Sequence, residues 1–518
     1  MNSSLQFLDY CIILVFLAGT LVFGLVFAKS QKTTQNYFLA KGKIPSWALG
    51  ISLLATLISS VTFLAYPGTG YSSNWILLVQ GLMVPIVLLV IIWFVVPLFR
   101  NVINLSTYEY FERRFGPFAR YYSSLAFVLR QFSGMGTVFF LLAVSLEKMT
   151  GIDTVSIILV VGGIIILINL IGGIEAVIWL DVFQGFMLFI SGIICFAVLL
   201  FSVHGGPAEI WKVASENGRT GFGPYEWDLT KLTFVVMAIN GAFYAVQKYA
   251  TDQTVVQRYL TARTDKSAIN ASLLGILLTV PVWTLFMLIG TALFVFYKQH
   301  PLPEHLRADA VFPYFIMTQL PSGVVGLILS AMISAAICSL SADLNSLAAV
   351  GVEDYFKKIR PNLSDKQYLL ASKIILVVSG LISIGIAMLY VNAGDEGVLG
   401  IVFTLYAIFS GGIVGIFLLG LLSARANNQG ITISIIVCVA FTAYAILTST
   451  TLNYSGEEKL ILDMGALNFT HHKLMLGVYS HLVVIVVGYL ASLFFPKPAL
   501  DKRLLYSGWR EMRRQEKR

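Results

Sequence analysis

Apolar residues run along this chain in long unbroken stretches, separated by short polar connections. A helix needs about 20 consecutive apolar residues to cross a bilayer, and a barrel strand would alternate every second residue instead. Thirteen spans are read, near 6–28, 46–66, 75–99, 118–148, 153–173, 178–203, 232–256, 270–298, 322–351, 367–391, 399–423, 429–450 and 473–496. The pattern predicts an all-α polytopic membrane protein forming a single transmembrane domain.

Three spans carry polar residues where lipid offers them nothing. Span 2 reads "LLATLISSVTFLAYPGTGY" and sets Thr56, Ser59, Ser60 and Thr62 ahead of Pro67-Gly68. Span 7 reads "YAVQKYATDQTVVQRY" and holds Gln247, Lys248, Thr251, Asp252 and Gln253. Span 9 reads "SAAICSLSADLNSLAAVGVEDYF" and holds Ser339, Ser341, Asp343, Asn345 and Ser346. Polarity at membrane depth must be met by protein, water or ligand, so these segments mark a functional interior. Spans 2 and 7 stand five apart. Interrupted segments at matching positions of two five-span halves point to an inverted-repeat transporter, here with halves at 46–203 and 232–423. One helix precedes the halves at 6–28, and two follow at 429–496 before a basic tail at 497–518. Unwound helix frees carbonyls for a hard cation such as sodium and exposes helix N-termini that suit an anion.

The charge changes the picture by giving it a direction. Of the 35 Lys and Arg, 24 fall in loops on one side and 8 in loops on the other. The positive-inside rule then puts the N-terminus outside and the C-terminus in the cytoplasm of a plasma (inner) membrane protein. The net charge of +8 is an orientation and lipid-attraction signal, not a nucleic-acid one, because the basic tail is short. A hydrophobic share of 57% with mean hydropathy +0.81 excludes a soluble globular chain. No cleavable leader is expected, since no basic residues precede the long first run. The four cysteines lie within spans and form neither a disulfide framework nor a metal pattern. No HExxH or GxSxG is present, so no enzyme is read. A channel or a non-transporting sensor on the same scaffold is the competing class; a sensor would call for a signalling domain that the short tail does not supply.

With "STYEYFERRFG", "GGIEAVIWLDVFQG", "ATDQTVVQRYLTART" and "SLSADLNSLAAVGVEDYF", the chain resembles the sodium/solute symporter family over nearly its whole length, most nearly the bacterial sialic acid symporters. The resemblance implies a leucine-transporter-type fold of five-plus-five inverted repeats, with sodium co-transported alongside a small-molecule substrate. It implies a main sodium site from the carbonyls of Ala55, Ile58 and Ala335 and from the hydroxyl positions Cys338 and Ser339. Only Ser339 keeps a hard oxygen, and a thiol is a poor sodium ligand. A second sodium, as in some members, would fall at Asp181 and Ser341, with Ala342 replacing a further serine; Asp181 alternatively caps span 6.

By the same resemblance Ser59, Ser60 and Thr62 face substrate. The acid of a sodium–sugar site falls on Val61. The carboxylate-binding arginine of sialic acid symporters falls on Gly134, one turn from Arg130, and their glutamine falls on Gly81, beside Gln80. Substrate contacts are therefore sought at Gln80, Arg130, Gln247, Lys248 and Tyr249. Lys248 either pairs with Asp252 or, with Arg130, marks an anionic solute such as a sugar acid; a neutral sugar or polyol is the alternative. Asp343 faces the ion path or pairs with Arg130 or Lys248. Phe63, Tyr66, Tyr244, Asp252 and Asp343 are gate or ion-path candidates.

Overall fold

A computed structural model describes residues 5–27, 31–303, 306–392, 411–454 and 457–516. Its helices are α1 (Phe7–Phe27), α2 (Thr34–Leu39), α3 (Ser46–Leu57), α4 (Ser60–Ser72), α5 (Ile76–Val102), α6 (Tyr108–Phe115), α7 (Pro117–Thr150), α8 (Thr154–Ser202), α9 (Gly206–Glu216) and α10 (Phe234–Ala250). There follow α11 (Gln253–Thr261), α12 (Asp265–Gln299), α13 (Ala308–Gln319), α14 (Val324–Val350), α15 (Asp365–Asn392), α16 (Ile413–Leu422), α17 (Asn428–Leu447), α18 (Lys473–Ser492) and α19 (Tyr506–Glu516).

Nine of the described helices are long and apolar enough to cross a membrane. They account for ten of the thirteen expected spans, because α8 carries spans 5 and 6 in one element bent at Gly173. Gly173 takes φ 58°, and a Cβ there would stand 2.9 Å from Tyr37 O, so the bend requires glycine. Spans 2 and 7 are each two shorter helices, α3 with α4 and α10 with α11. Span 11 is described only from its second half as α16; residues 399–410 of that expectation lie outside the described residues.

Burial orders the bundle. The apolar stretch of α14 is 89% buried, whereas that of α1 is only 17% buried, so α14 runs through the core and α1 faces lipid. The two are tied at their ends. Asp9 of α1 accepts hydrogen bonds from the N–H groups of Gly323 at 2.7 Å and Gly326 at 2.8 Å, capping the N-terminus of α14 with a carboxylate. The long connections after spans 6 and 8 carry helices, α9 and α13, and that after span 12 carries the antiparallel pair β1 (Thr451–Tyr454) and β2 (Glu457–Leu460).

Continuous α12 supports both halves of the broken second span through glycines. A Cβ on Gly275 would lie 2.9 Å from Gly50 O, one on Gly70 2.5 Å from Met287 O, and one on Gly290 2.2 Å from Pro67 O. Backbones meet at both ends of the crossing, the close approach that small residues permit in membranes. Replacing Gly290 by Leu should therefore cost about 1–3 kcal/mol by overpacking. In a thermal-unfolding assay this variant should lose several degrees, while Gly163→Ala, at a site with open space around it, should not.

Candidate solute and sodium site

The second span breaks where its hydrogen-bond ladder stops. Ile58 N–H still reaches Leu54 O at 3.2 Å, but Ile58 (φ −103°, ψ 114°) and Ser59 (φ −115°, ψ 176°) are extended. Among the described residues no main-chain bond continues from Ser59 to Ala55 O. The chain then bends by 58° into α4. Ala55 is only 4% exposed, so its carbonyl is left at membrane depth without its helical partner. The N-terminus of α4 is likewise open: Ser59 makes no side-chain cap bond. Beyond the break Thr62 and Phe63 are buried, and Phe63 packs on Phe286 and Phe312 at 5.0 and 5.3 Å between ring centroids.

The seventh span breaks at Thr251–Asp252, and here a side chain answers the break. Asp252 Oδ1 accepts from Thr254 N–H at 2.9 Å and from the Thr254 hydroxyl, capping α11. Its Oδ2 accepts from Lys248 Nζ at 2.9 Å and from Arg130 of α7. The Asp252 side chain is fully buried, and those of Arg130 and Lys248 are 20% and 14% exposed. Next to Arg130, Gln131 donates to Asp343 Oδ1 of α14 at 2.5 Å. Two bases and two acids thus gather around this break with no net charge.

The short helix α11 continues this polarity inward. Gln253 accepts from Thr107 N–H and Oγ1, each at 2.8 Å, and donates to Leu105 O. Gln257 donates to Phe38 O and to Asn345 Oδ1, both at 2.9 Å. Arg258 donates to Ser52 Oγ at 2.8 Å, Thr254 O at 2.7 Å and Asp181 Oδ2 at 2.9 Å. One nine-residue helix thereby fixes α2, α3, α8, α14 and the segment leading into α6.

The family model for the sodium:solute symporter family matches residues 37–438. The chain belongs to the sodium:solute symporter family. It is 32% identical over 499 residues to the sodium/sialic acid symporter NanT of Aliivibrio fischeri, covering 94% of this chain and 93% of that one. It is 31% identical over 508 residues to the sodium/sialic acid symporter SiaT of Proteus mirabilis, covering 96% and 97%. The substrate-bound, outward-open structure of a Na+-coupled sialic acid symporter superposes with TM-score 0.86 at 29% identity, over 95% of this chain and 99% of that one. The nucleobase-cation-symport-1 transporter Mhp1 in a closed conformation, at TM-score 0.56 and 15% identity over 90% and 97%, shares the fold alone.

For a sodium:solute symporter, the positions singled out from sequence fall into two groups. Ala55 and Ile58 sit at the first break. A Cβ built on Gly185 of α8 would touch Ala55 Cβ at 3.7 Å, and neighbouring Gln184 accepts from Cys338 Sγ at 2.8 Å. So α3, α8 and α14 converge there. The Ser339 hydroxyl donates to Ala335 O and Ala336 O at 3.1 and 3.2 Å, which leaves its lone pairs for a cation. Asp181 does not stand free as a cap of span 6; it is ion-paired to Arg258 and accepts from Ser52 at 2.6 Å. Its Oδ1 and the Ser341 hydroxyl are buried with no hydrogen-bond partner.

Around the second break, Arg130, Lys248 and Asp252 are brought together, and Gln247 and Tyr244 lie half-buried on the same helix. Gln80 packs against Gly241, whose Cβ would stand 2.9 Å from its Cα. Three expectations are corrected. Asp343 takes Gln131, not a cation, as its hydrogen-bond donor. Tyr249, sought as a lining residue, is 1% exposed in the core, its hydroxyl unpartnered. Arg258, one of the 24 basic residues counted in loops on one side, is as deeply buried as Tyr249. The side chain of Ser60 lies outside the described residues. Sequence reasoning missed Gln131, Gln184, Arg258 and Trp283. Trp283 stacks on Tyr66 at 6.1 Å and fills the space a side chain at Gly81 would need, with a Cβ there only 2.3 Å from its ring. Arg258 was visible in principle, one turn after Thr254 in a segment already marked as polar.

Removing Arg258 alone strands the Asp181 carboxylate, which should cost about 3–5 kcal/mol. Arg258→Leu should therefore unfold at clearly lower temperature, and the double variant Arg258→Leu with Asp181→Leu should recover most of the loss.

Proposed function

We propose that this protein is a sodium-coupled symporter that carries a small organic anion, of the sialic acid type, into the cell by alternating access. The observation that carries this reading is the contrast between the two helix restarts. The N-terminus of α11 is occupied by Asp252, whereas that of α4 carries no side-chain cap. An open helix N-terminus at membrane depth attracts an anion. Lys248, Arg130 and the open space at Gly134 lie at or one turn from the second break. The full-length likeness to two sodium/sialic acid symporters supports the same solute. A neutral sugar or polyol is the second reading, favoured by the balanced charges and by Gly134 and Gly81 where the family resemblance leads one to expect an arginine and a glutamine.

Sodium occupies the first break in this reading, held by Ala55 O, Ile58 O, Ala335 O and Ser339 Oγ, with Cys338 engaged by Gln184 instead. Its arrival bridges α3 to α14 and favours the outward-open state. A second, weaker sodium takes the orphaned oxygens of Asp181 and Ser341, its affinity lowered by the guanidinium on the other carboxylate oxygen. The N-terminus is outside, the C-terminus cytoplasmic, and residues 46–203 and 232–423 form the two inverted halves. One sodium moving down 100 mV supplies roughly 2.3 kcal/mol, under a hundredfold accumulation, but a monoanion moving with it cancels that charge. Two sodium ions per monoanion restore one net charge.

Purified protein should be stabilised by sialic acid only when sodium is present, by about 2.7 kcal/mol at a hundredfold excess over Kd. Ser339→Ala should abolish that stabilisation. Proteoliposome uptake should generate current in the native protein and lose it in Ser341→Ala. Stabilisation by a neutral sugar and not by sialic acid would select the second reading; stabilisation independent of sodium would remove the coupling.

A further inference from the structure

Helix α1 is pinned near its two ends and stands off in between. Near its start, a Cβ on Gly326 of α14 would lie 2.7 Å from Asp9 Cα. Near its end, one on Gly172 of α8 would lie 3.3 Å from Gly24 O. Between those backbone contacts a cavity of about 680 Å³ separates α1 from α8 and α14. It follows α1 from Cys11 to Phe23, about 18 Å at 1.5 Å per residue. The facing wall is Leu180, Phe183 and Met187 of α8, with Leu327 of α14.

The lining decides what fits. The hydroxyls of Thr20 and Ser330 each donate to a carbonyl one turn back in their own helix, at 2.8 Å. The free thiol of Cys11 adds only a weak donor. A buried water needs about two to four polar partners, so this space favours hydrocarbon. Hydrocarbon is also what surrounds it. Val15 and Phe183, on its lips, are 72% and 54% exposed, so the groove opens sideways into the bilayer. Phe16 and Thr20, deeper in the lining, are buried.

The two ends of the groove differ in charge. One lies by the Asp9 carboxylate. The other lies by Trp179, the neighbour of Leu180, which meets Trp47 edge to face at 5.7 Å between ring centroids. Trp47 is exposed, and so are Lys32 and Lys43 on the segment that joins α1 to α3. Tryptophans with lysines mark the headgroup level of a membrane, and lysines there attract phosphate.

We propose that this groove is a phospholipid site, with one acyl chain lying along α1 from Phe23 toward Cys11 and the phosphate at the end marked by Trp47, Lys32 and Lys43. The chain fills the gap behind α1. Its α8 wall is one residue away from Asp181 and Gln184, which bond Arg258 and Cys338. The lipid therefore braces α8 against α14 from the bilayer side, whatever solute the protein carries.

Phosphatidylglycerol with a diazirine in its acyl chain tests the site in proteoliposomes of the full chain. Crosslinks mapped by mass spectrometry should fall on Phe16, Thr20 and Met187. Gly19 lines the groove, and a Cβ there meets nothing within 4 Å, so Gly19→Phe fills the space. That variant should lose the three crosslinks and keep those at Val90 of α5, which is 70% exposed and reports ordinary surrounding lipid. Lys32→Gln with Lys43→Gln should lower groove labelling about fivefold at low salt. Equal labelling in native and Gly19→Phe protein, or labelling confined to exposed residues such as Val90, would overturn the site. Labelling unchanged in the double lysine variant would overturn the placement of the phosphate. Native mass spectrometry of the unaltered protein gives a reading that needs no variant to fold. One phospholipid retained in mild detergent supports the site, and a retained fatty acid or no retained lipid contradicts it.

Discussion

One buried carboxylate makes the interior of this protein possible. A helix interrupted at membrane depth leaves backbone groups that hydrocarbon cannot satisfy. In the seventh span Asp252 meets that need by capping α11 through Thr254, and the same carboxylate neutralises Lys248 and Arg130. Neither cation would be tolerated at this depth without it. With the restart fixed, α11 can present Gln253, Gln257 and Arg258 to five surrounding elements, which are organised around it.

The break in the second span is solved by different means, and the difference separates structure from function. Among the described residues no side chain caps it. The two halves are held instead by backbone-to-backbone packing on α12 through Gly50, Gly70, Gly275 and Gly290. Packing fixes where α3 and α4 lie without using up the Ala55 carbonyl or the N-terminus of α4. A carbonyl end and an N–H end therefore remain side by side, the one suited to a cation and the other to an anion. In the proposed reading, coupling between ion and solute follows from that adjacency, since both would occupy the same gap.

Hydropathy and the intrusion of Thr, Ser, Lys and Asp into apolar runs were enough to locate both breaks and to suggest the fold, because unsatisfied polarity in a membrane has few explanations. The pairing of Lys248 with Asp252 was legible from i,i+4 spacing. The part played by Arg130 was less so, since it lies 122 residues away and meets Asp252 only across the fold. Gln131 with Asp343 and Arg258 with Asp181 were hidden for the same reason. Arg258 was also masked by its position: counted as an inward loop charge, it supports the orientation tally while being buried. Trp283 left no signal at all, because an aromatic in a span is ordinary core until Gly81 is seen against its ring.

The shared role of Asp252 is tested most directly by a double-mutant cycle on thermal unfolding, with Asp252→Asn, Lys248→Gln and the two combined. If one carboxylate anchors both the restart and the cation, Asp252→Asn alone should be the most damaging change. Adding Lys248→Gln should then relieve part of the damage, with a coupling energy of about 1–3 kcal/mol. Additive losses would show that Lys248 and Asp252 act independently, and would leave the second break without the anchor on which the surrounding arrangement depends.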